Sequence, residues 1–184
     1  MYGEKLYPLS TNRWVDGTVD PHGYRLIEGF CFEGTIPVWR FACADAVLEK
    51  RVWMKQGANT TYIHYTLRRT TMPFKLTIKT FINYRDYHGT THGGHWQMKI
   101  DPVEQGFSIT AYPAAVPFYL LTDKAKVLSA HDWYFGYDLA QERYRGLDDR
   151  ENRLHAATFY ATLNPGESLT LIASTEANPD LMAK

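Results

Sequence analysis

Hydrophobic alternation with a period of two residues constrains this chain more than any other feature. In "NTTYIHYTLRR" the residues Ile63, Tyr65 and Leu67 share one face while Tyr62, His64 and Thr66 take the other. "FKLTIKTFIN" repeats the pattern, with Phe74, Leu76, Ile78 and Ile82 opposite Lys75, Thr77 and Lys79. Successive side chains of a strand point to opposite faces, so each segment reads as a strand with one buried face. "QGAN" at 56–59 joins "VLEKRVWM" to the first of them, and "TTMP" at 70–73 joins the two. Links this short favour antiparallel neighbours. Further strands are expected over 26–33, 36–43, 96–101, 107–111, 117–122, 126–130, 155–163 and 167–174. The expected fold class is all-β, a large antiparallel β-sandwich.

One segment breaks the pattern. "DLAQERYRGLDDRENR" at 138–153 carries a helical spacing that Gly146 would end, so a short helical insertion is expected near 138–150. The connection from 135 to 155 is long for a sandwich, and insertions of that length are usually functional or interfacial. The last residues, "STEANPDLMAK", turn towards a helical pattern with Asn178 or Asp180 as a helix start. The expected division is a sandwich over 1–178 and the start of a linker over 179–184.

A chain of 184 residues buries one substantial core, so a single domain is expected. Its 20 basic and 20 acidic residues cancel, which removes any overall field towards nucleic acid or an anionic membrane. The sequence has no apolar run of about 18 residues and no secretion signal, and the cytoplasm is the expected location. Cys31 and Cys43, among Val, Phe and Ala, read as small core hydrophobes rather than as a disulfide.

Chemistry is harder to place. "YRDYHGTTHGGHW" gathers His88, His92 and His95 beside Asp86, which suits a metal, a sharp turn or a sugar-binding loop. The H-x3-H-x2-H spacing matches no zinc geometry and has no cysteine support, so neither metal nor cofactor is expected. There is no G-x-S-x-G elbow and no P-loop. The densest acidic group, Glu142, Asp148, Asp149 and Glu151, reads for most of its members as a solvated helix and loop surface. Aromatics make up 15% of the chain, with five Trp and thirteen Tyr, enough to supply flat faces for sugar rings as well as core.

Three segments, "LSTNRWVDGTVDPHGYRLIEGFCFEGTIPVWRF", "LEKRVWMKQGANTTYIHYTL" and "FINYRDYHG", resemble the N-terminal domain of the bacterial and archaeal type of glycogen debranching enzyme, the amylo-α-1,6-glucosidase type. "EKRVWM" followed by an "NT" turn and a "Y-x-L" strand is the most specific part. A looser match is "Y-x-x-E-x-x-RG", met here as Tyr137, Glu142, Arg145 and Gly146. Where such a family carries an acidic Glu-Asp pair, this chain has Glu151-Asn152. The resemblance runs from about residue 6 to 178.

The resemblance implies a β-sandwich of the supersandwich kind followed by an (α/α)6 barrel that carries the catalytic carboxylates and hydrolyses α-1,6-linked glucose at a glycogen branch. By that reading the chain is a fragment. It would lack the barrel and a preceding Gly-rich segment with an Arg-Tyr-His-Gly motif, and would carry no catalytic residue of its own. Its partners would be the barrel and an α-glucan such as glycogen, with self-association through the face left bare.

Its first expected role is to buttress the barrel and shape its cleft through loops 84–96 and 132–149. The cleft-facing or substrate-binding candidates are then Arg85, Asp86, His88, Trp96, Trp133, Glu142 and Arg145. The second role is an autonomous carbohydrate-binding module that stacks sugars on Trp14, Trp39, Trp53, Trp96 or Trp133. Of these, Trp39 and Trp53 are assigned to the core, and Trp96 and Trp133 to positions flanking loops. The third is a stand-alone metal-dependent enzyme using His88, His92 and His95.

Overall fold

A computed structural model describes residues 1–182. A short hairpin comes first, β1 (Thr11–Arg13) and β2 (Val19–His22), and a 3-10 turn (Gly23–Leu26) leads into β3 (Ile27–Glu33). Then follow β4 (Ile36–Cys43), β5 (Ala46–Met54), β6 (Thr60–Arg69) and β7 (Phe74–Ile82). Beyond a long connection lie β8 (Lys99–Val103), β9 (Gly106–Thr110), β10 (Phe118–Thr122) and β11 (Lys126–Asp138). A short helix, α1 (Ala140–Tyr144), precedes β12 (Arg150–Leu163) and β13 (Ser168–Ser174). The strands pair antiparallel throughout. The fold is all-β, with α1 inside the expected 138–150 insertion and Gly146 beyond its end at a φ of 74°.

Eight strands form one sheet in the order β3-β4-β5-β6-β13-β10-β9-β8, and three form a second, β11-β12-β7. One buried cluster joins the two sheets. Leu48, Leu67, Leu169, Leu171 and Ile109 come from the large sheet, and Phe74, Leu76, Leu154, Phe159 and Leu163 from the small one. Each such side chain, fully buried, contributes about 1.5–3 kcal/mol.

The alternation of β6 and β7 is as expected, but their pairing is not. "QGAN" does link the neighbours β5 and β6, whereas 70–73 carries the chain from the large sheet to the small one. The inward faces of β6 and β7 therefore contribute to one core between sheets instead of one strip along a sheet. Pro73, with no N–H to give a ladder, sits at that crossing.

The outer face of β6 differs too. Tyr62 is fully buried in a small second cluster with Leu121 and Ile172, because the segment near 180 folds over it: Leu181 packs there and the Tyr62 hydroxyl donates to the Asp180 carbonyl at 2.9 Å. Cys43 is buried as expected, but Cys31 is exposed on the edge strand β3, and both are free thiols. Of the expected linker start over 179–184, Ala183 and Lys184 lie outside the described residues. No helix among the described residues is long and apolar enough to cross a membrane.

Candidate functional site

Three pieces of chain meet at one end of the small sheet: the connection 83–98, the α1 segment 139–149, and the β1–β2 hairpin. Strands β11 and β12 reach further into this end than the alternation predicts. Their pairing continues through Trp133↔Leu154 and Tyr137↔Glu151 to Asp138↔Arg150. Charged residues at 150–153 hide this from a hydrophobic pattern, yet each of the inward ones finds a partner.

Glu151 is the central one. Its side chain is only 1% exposed, and it accepts from Arg85 Nε at 2.6 Å and from Arg153 Nε at 3.1 Å. The expectation of a solvated acidic surface therefore fails for Glu151, which is enclosed by two guanidinium groups. Arg85 also donates through Nη1 to the carbonyls of Asp86 and Tyr87, at 3.1 and 3.3 Å. One arginine thus fixes the turn at 86–89, which the Gly89 N–H closes on the Asp86 carbonyl at 3.0 Å. The Arg153 guanidinium lies 4.2 Å from the centroid of the Tyr137 ring, and Tyr137 packs on Trp14 with ring centroids 4.8 Å apart.

A second buried carboxylate holds the hairpin and the helix. Asp138, 5% exposed, contacts Arg13 Nε at 2.8 Å and the Arg143 guanidinium, which also reaches Asp149 at 2.9 Å. Asn152 supports the same corner by accepting from the Gly136 N–H at 3.2 Å, while the Val15 N–H donates to the Gly136 carbonyl at 2.9 Å. Gly136 has a φ of 78°, a conformation costly for a residue with Cβ.

The two loops are tied directly. The Asn152 N–H donates to the Thr91 carbonyl at 2.7 Å. Asp148 bonds to Thr90 Oγ1 and to His92 Nε2, the latter at 2.7 Å. Hydrogen bonds from Thr90, then His92 and the Arg150 amide, hold the Asp148 carboxyl at about 2.

The sequence-derived candidates fall into two groups. Arg85, Asp86, His88, Glu142 and Arg145 sit on the two tied loops. Arg85 is spent on Glu151, whereas the Asp86 side chain and His88 are exposed, and the His88 ring leans on Tyr87 with centroids 4.3 Å apart. Arg145 Nη1 donates to Glu142 Oε1 at 3.2 Å, and Glu142 Oε2 is buried with no hydrogen-bond partner.

Trp96 and Trp133 lie beneath the loop. Their indoles stack at 6.3 Å, and their N–H groups donate to the carbonyls of Ala111 and Trp96, at 2.7 and 3.1 Å. Trp133 lies within β11, and the expected strand 96–101 begins only at Lys99. Gly93 rests on the Trp133 ring so closely that a Cβ there would come within 2.1 Å of it. His88, His92 and His95 join no group of three or more His, Cys, Asp or Glu side chains placed to hold a metal ion among the described residues.

Tyr137 and Thr91 join Glu142 in keeping a buried oxygen without a partner, Tyr137 Oη and Thr91 Oγ1, and burial pushes the Tyr137 hydroxyl above its ordinary value. Buried polar atoms without partners are uncommon in folded proteins. Of the residues that build this end, Arg13, Asp138, Glu151 and Arg153 were missed as site residues: Arg13 and Arg85 lie far in sequence from the carboxylates they meet, and the neighbouring Glu151 and Arg153 carry no local sign that Glu151 is buried.

An antiparallel sandwich with a charged, loop-built end is the class that fold and site define. A search of curated proteins finds no match. The family model described as "Glycogen debranching enzyme N terminal" matches residues 1–170. The chain belongs to the glycogen debranching enzyme N-terminal family.

Proposed function

We propose that this domain is a non-catalytic part of a glycogen debranching enzyme. It packs on a catalytic (α/α)6 domain, and its 83–98 and 139–149 loops shape the α-1,6-glucosidase cleft for branched α-glucan. The observation that carries this reading is the cross-tied loop end. Glu151 and Asp138 spend their charges on holding the two loops and the β1–β2 hairpin in place, while His88, Asp86 and Arg145 remain on the surface. Side chains held on a rigid support can hydrogen-bond glucosyl hydroxyls while acid and base come from the partner domain.

His88→Ala in an enzyme that contains both domains tests it. The expected result is a fall of about tenfold in kcat/KM on a branched dextrin with the melting temperature unchanged, as for loss of one substrate hydrogen bond. Unchanged turnover with a lower melting temperature would reject the proposal.

A further inference from the structure

The large sheet has eight strands and the small one three, so part of the large sheet extends past the small one. β7 is the edge of the small sheet, and beside it lies a cleft of about 660 Å³ lined by Phe41, Lys50, Tyr65, Phe81, Tyr134 and Trp14. That volume lies within the span of small-ligand sites, about 300–1,000 Å³. The cleft is continuous with the loop end, since Trp14 lines one and packs on Tyr137 of the other.

One donor in the cleft has no protein acceptor among the described residues. Lys50 is half-buried, and its Nζ lies 5.4 Å from the Trp39 ring centroid. Among the described residues no carboxylate or hydrogen-bond acceptor meets it. Lys79, also on the cleft, is by contrast spent on the Tyr134 hydroxyl at 3.0 Å. The Lys50 Nζ is not sealed from water, so it is a donor free to turn to an occupant of the cleft, and its contact with the ring face leaves that donor capacity unused.

Flat aromatic faces with a few donors suit a pyranose chain, whose C–H faces pack on rings and whose hydroxyls accept hydrogen bonds. A purely apolar occupant would leave Lys50 unanswered. Asp20, which also lines the cleft, disfavours an anion.

We propose that this cleft is a subsite for a linear α-glucan chain, with Trp14 and Tyr134 against glucosyl rings and Lys50 donating to a hydroxyl. The inference rests on the proposed role in an α-glucan-acting enzyme. Isothermal titration of the 184-residue chain with maltoheptaose tests it. Lys50→Met and Tyr134→Ala are each expected to weaken binding about tenfold.

Lys50→Met is also expected to melt no lower than the parent without sugar and to gain less from added maltoheptaose. Replacing a lysine with a merely structural role would lower the melting temperature and leave the gain from maltoheptaose unchanged. Undiminished binding in Lys50→Met, with binding lost in Arg145→Ala, would place the glucan on the loops and overturn the inference while leaving the proposed function standing. No binding by the parent chain would overturn the inference and count against glucan contact by this domain altogether.

Discussion

Two buried glutamates, each surrounded by arginines, do different mechanical work in this domain. Glu49, on the outer face of the large sheet, is 1% exposed and contacts Arg40, Arg51 and Arg68 at 3.2, 2.9 and 2.6 Å. These partners lie on β4, β5 and β6, which backbone ladders already hold together. Glu151 has the same burial but takes one partner, Arg85, from a long connection with no ladder of its own. The same ion-pair chemistry therefore decorates a sheet in one place and builds a loop in the other. Removing either charge tests that difference.

Glu151→Ala should have the larger effect. Taking away one member of a buried ionic group costs about 3–5 kcal/mol, and the lower end applies here because Arg85 and Arg153 stay about a third exposed. A loss of about 3 kcal/mol in denaturant unfolding is expected, with faster amide exchange across 85–92. A loss under about 1 kcal/mol with those amides still protected would mean that the loop is held by other contacts.

Glu49→Gln should cost less, about 1–2 kcal/mol at neutral pH, and leave exchange in the loops unchanged. Its clearest mark is in acid. Desolvation pushes the Glu49 carboxyl up, but hydrogen bonds from Arg68, Arg51 and Arg40 outweigh it and hold the group at about 2, below its ordinary 4.5. The carboxylate therefore adds stability that is complete above 4.5 and is lost as pH falls through 2. Titrating stability from pH 5 to pH 2 should give a shallower decline for Glu49→Gln than for the parent, and parallel curves would remove Glu49 from the account.

The same contrast explains what could be read from the sequence. Alternation is local, so the strands at 60–69 and 74–82 were legible, and a motif match identified the family. Sheet membership was not, because whether 70–73 makes a hairpin or crosses between sheets depends on the core that forms beneath it. Tyr62 looked solvent-facing because the segment that covers it lies more than a hundred residues away. Glu151 looked like part of a charged surface for the same reason: its Arg85 partner is 66 positions distant. Loop positions of Asp86, His88 and Arg145 could be read from breaks in the alternation. The inward turn of Trp96 and Trp133 could not, since it is set by carbonyls on other segments.

The smallest effect is expected at the tie between the loops themselves. Asp148 and His92 are each at least half-hydrated, 50% and 61% exposed, so water screens their contact and the melting temperature of Asp148→Asn should match the parent. The tie acts on order instead. At neutral pH the charged Asp148 accepts from Thr90 and His92, and the neutral amide of the variant replaces those charge-assisted bonds with weaker ones. Amide exchange at 90–92 should therefore quicken in Asp148→Asn at pH 7, while exchange beside Glu49 stays as it was. Because the Asp148 carboxyl is held at about 2, its contribution is present above the usual carboxylate range and fades only as pH falls through that value. The difference between parent and variant should narrow accordingly in acid. Equal exchange at pH 7 would leave Arg85 and the Asn152–Thr91 backbone bond as the holders of the loop, and would make Glu151 the sole carboxylate on which its shape depends.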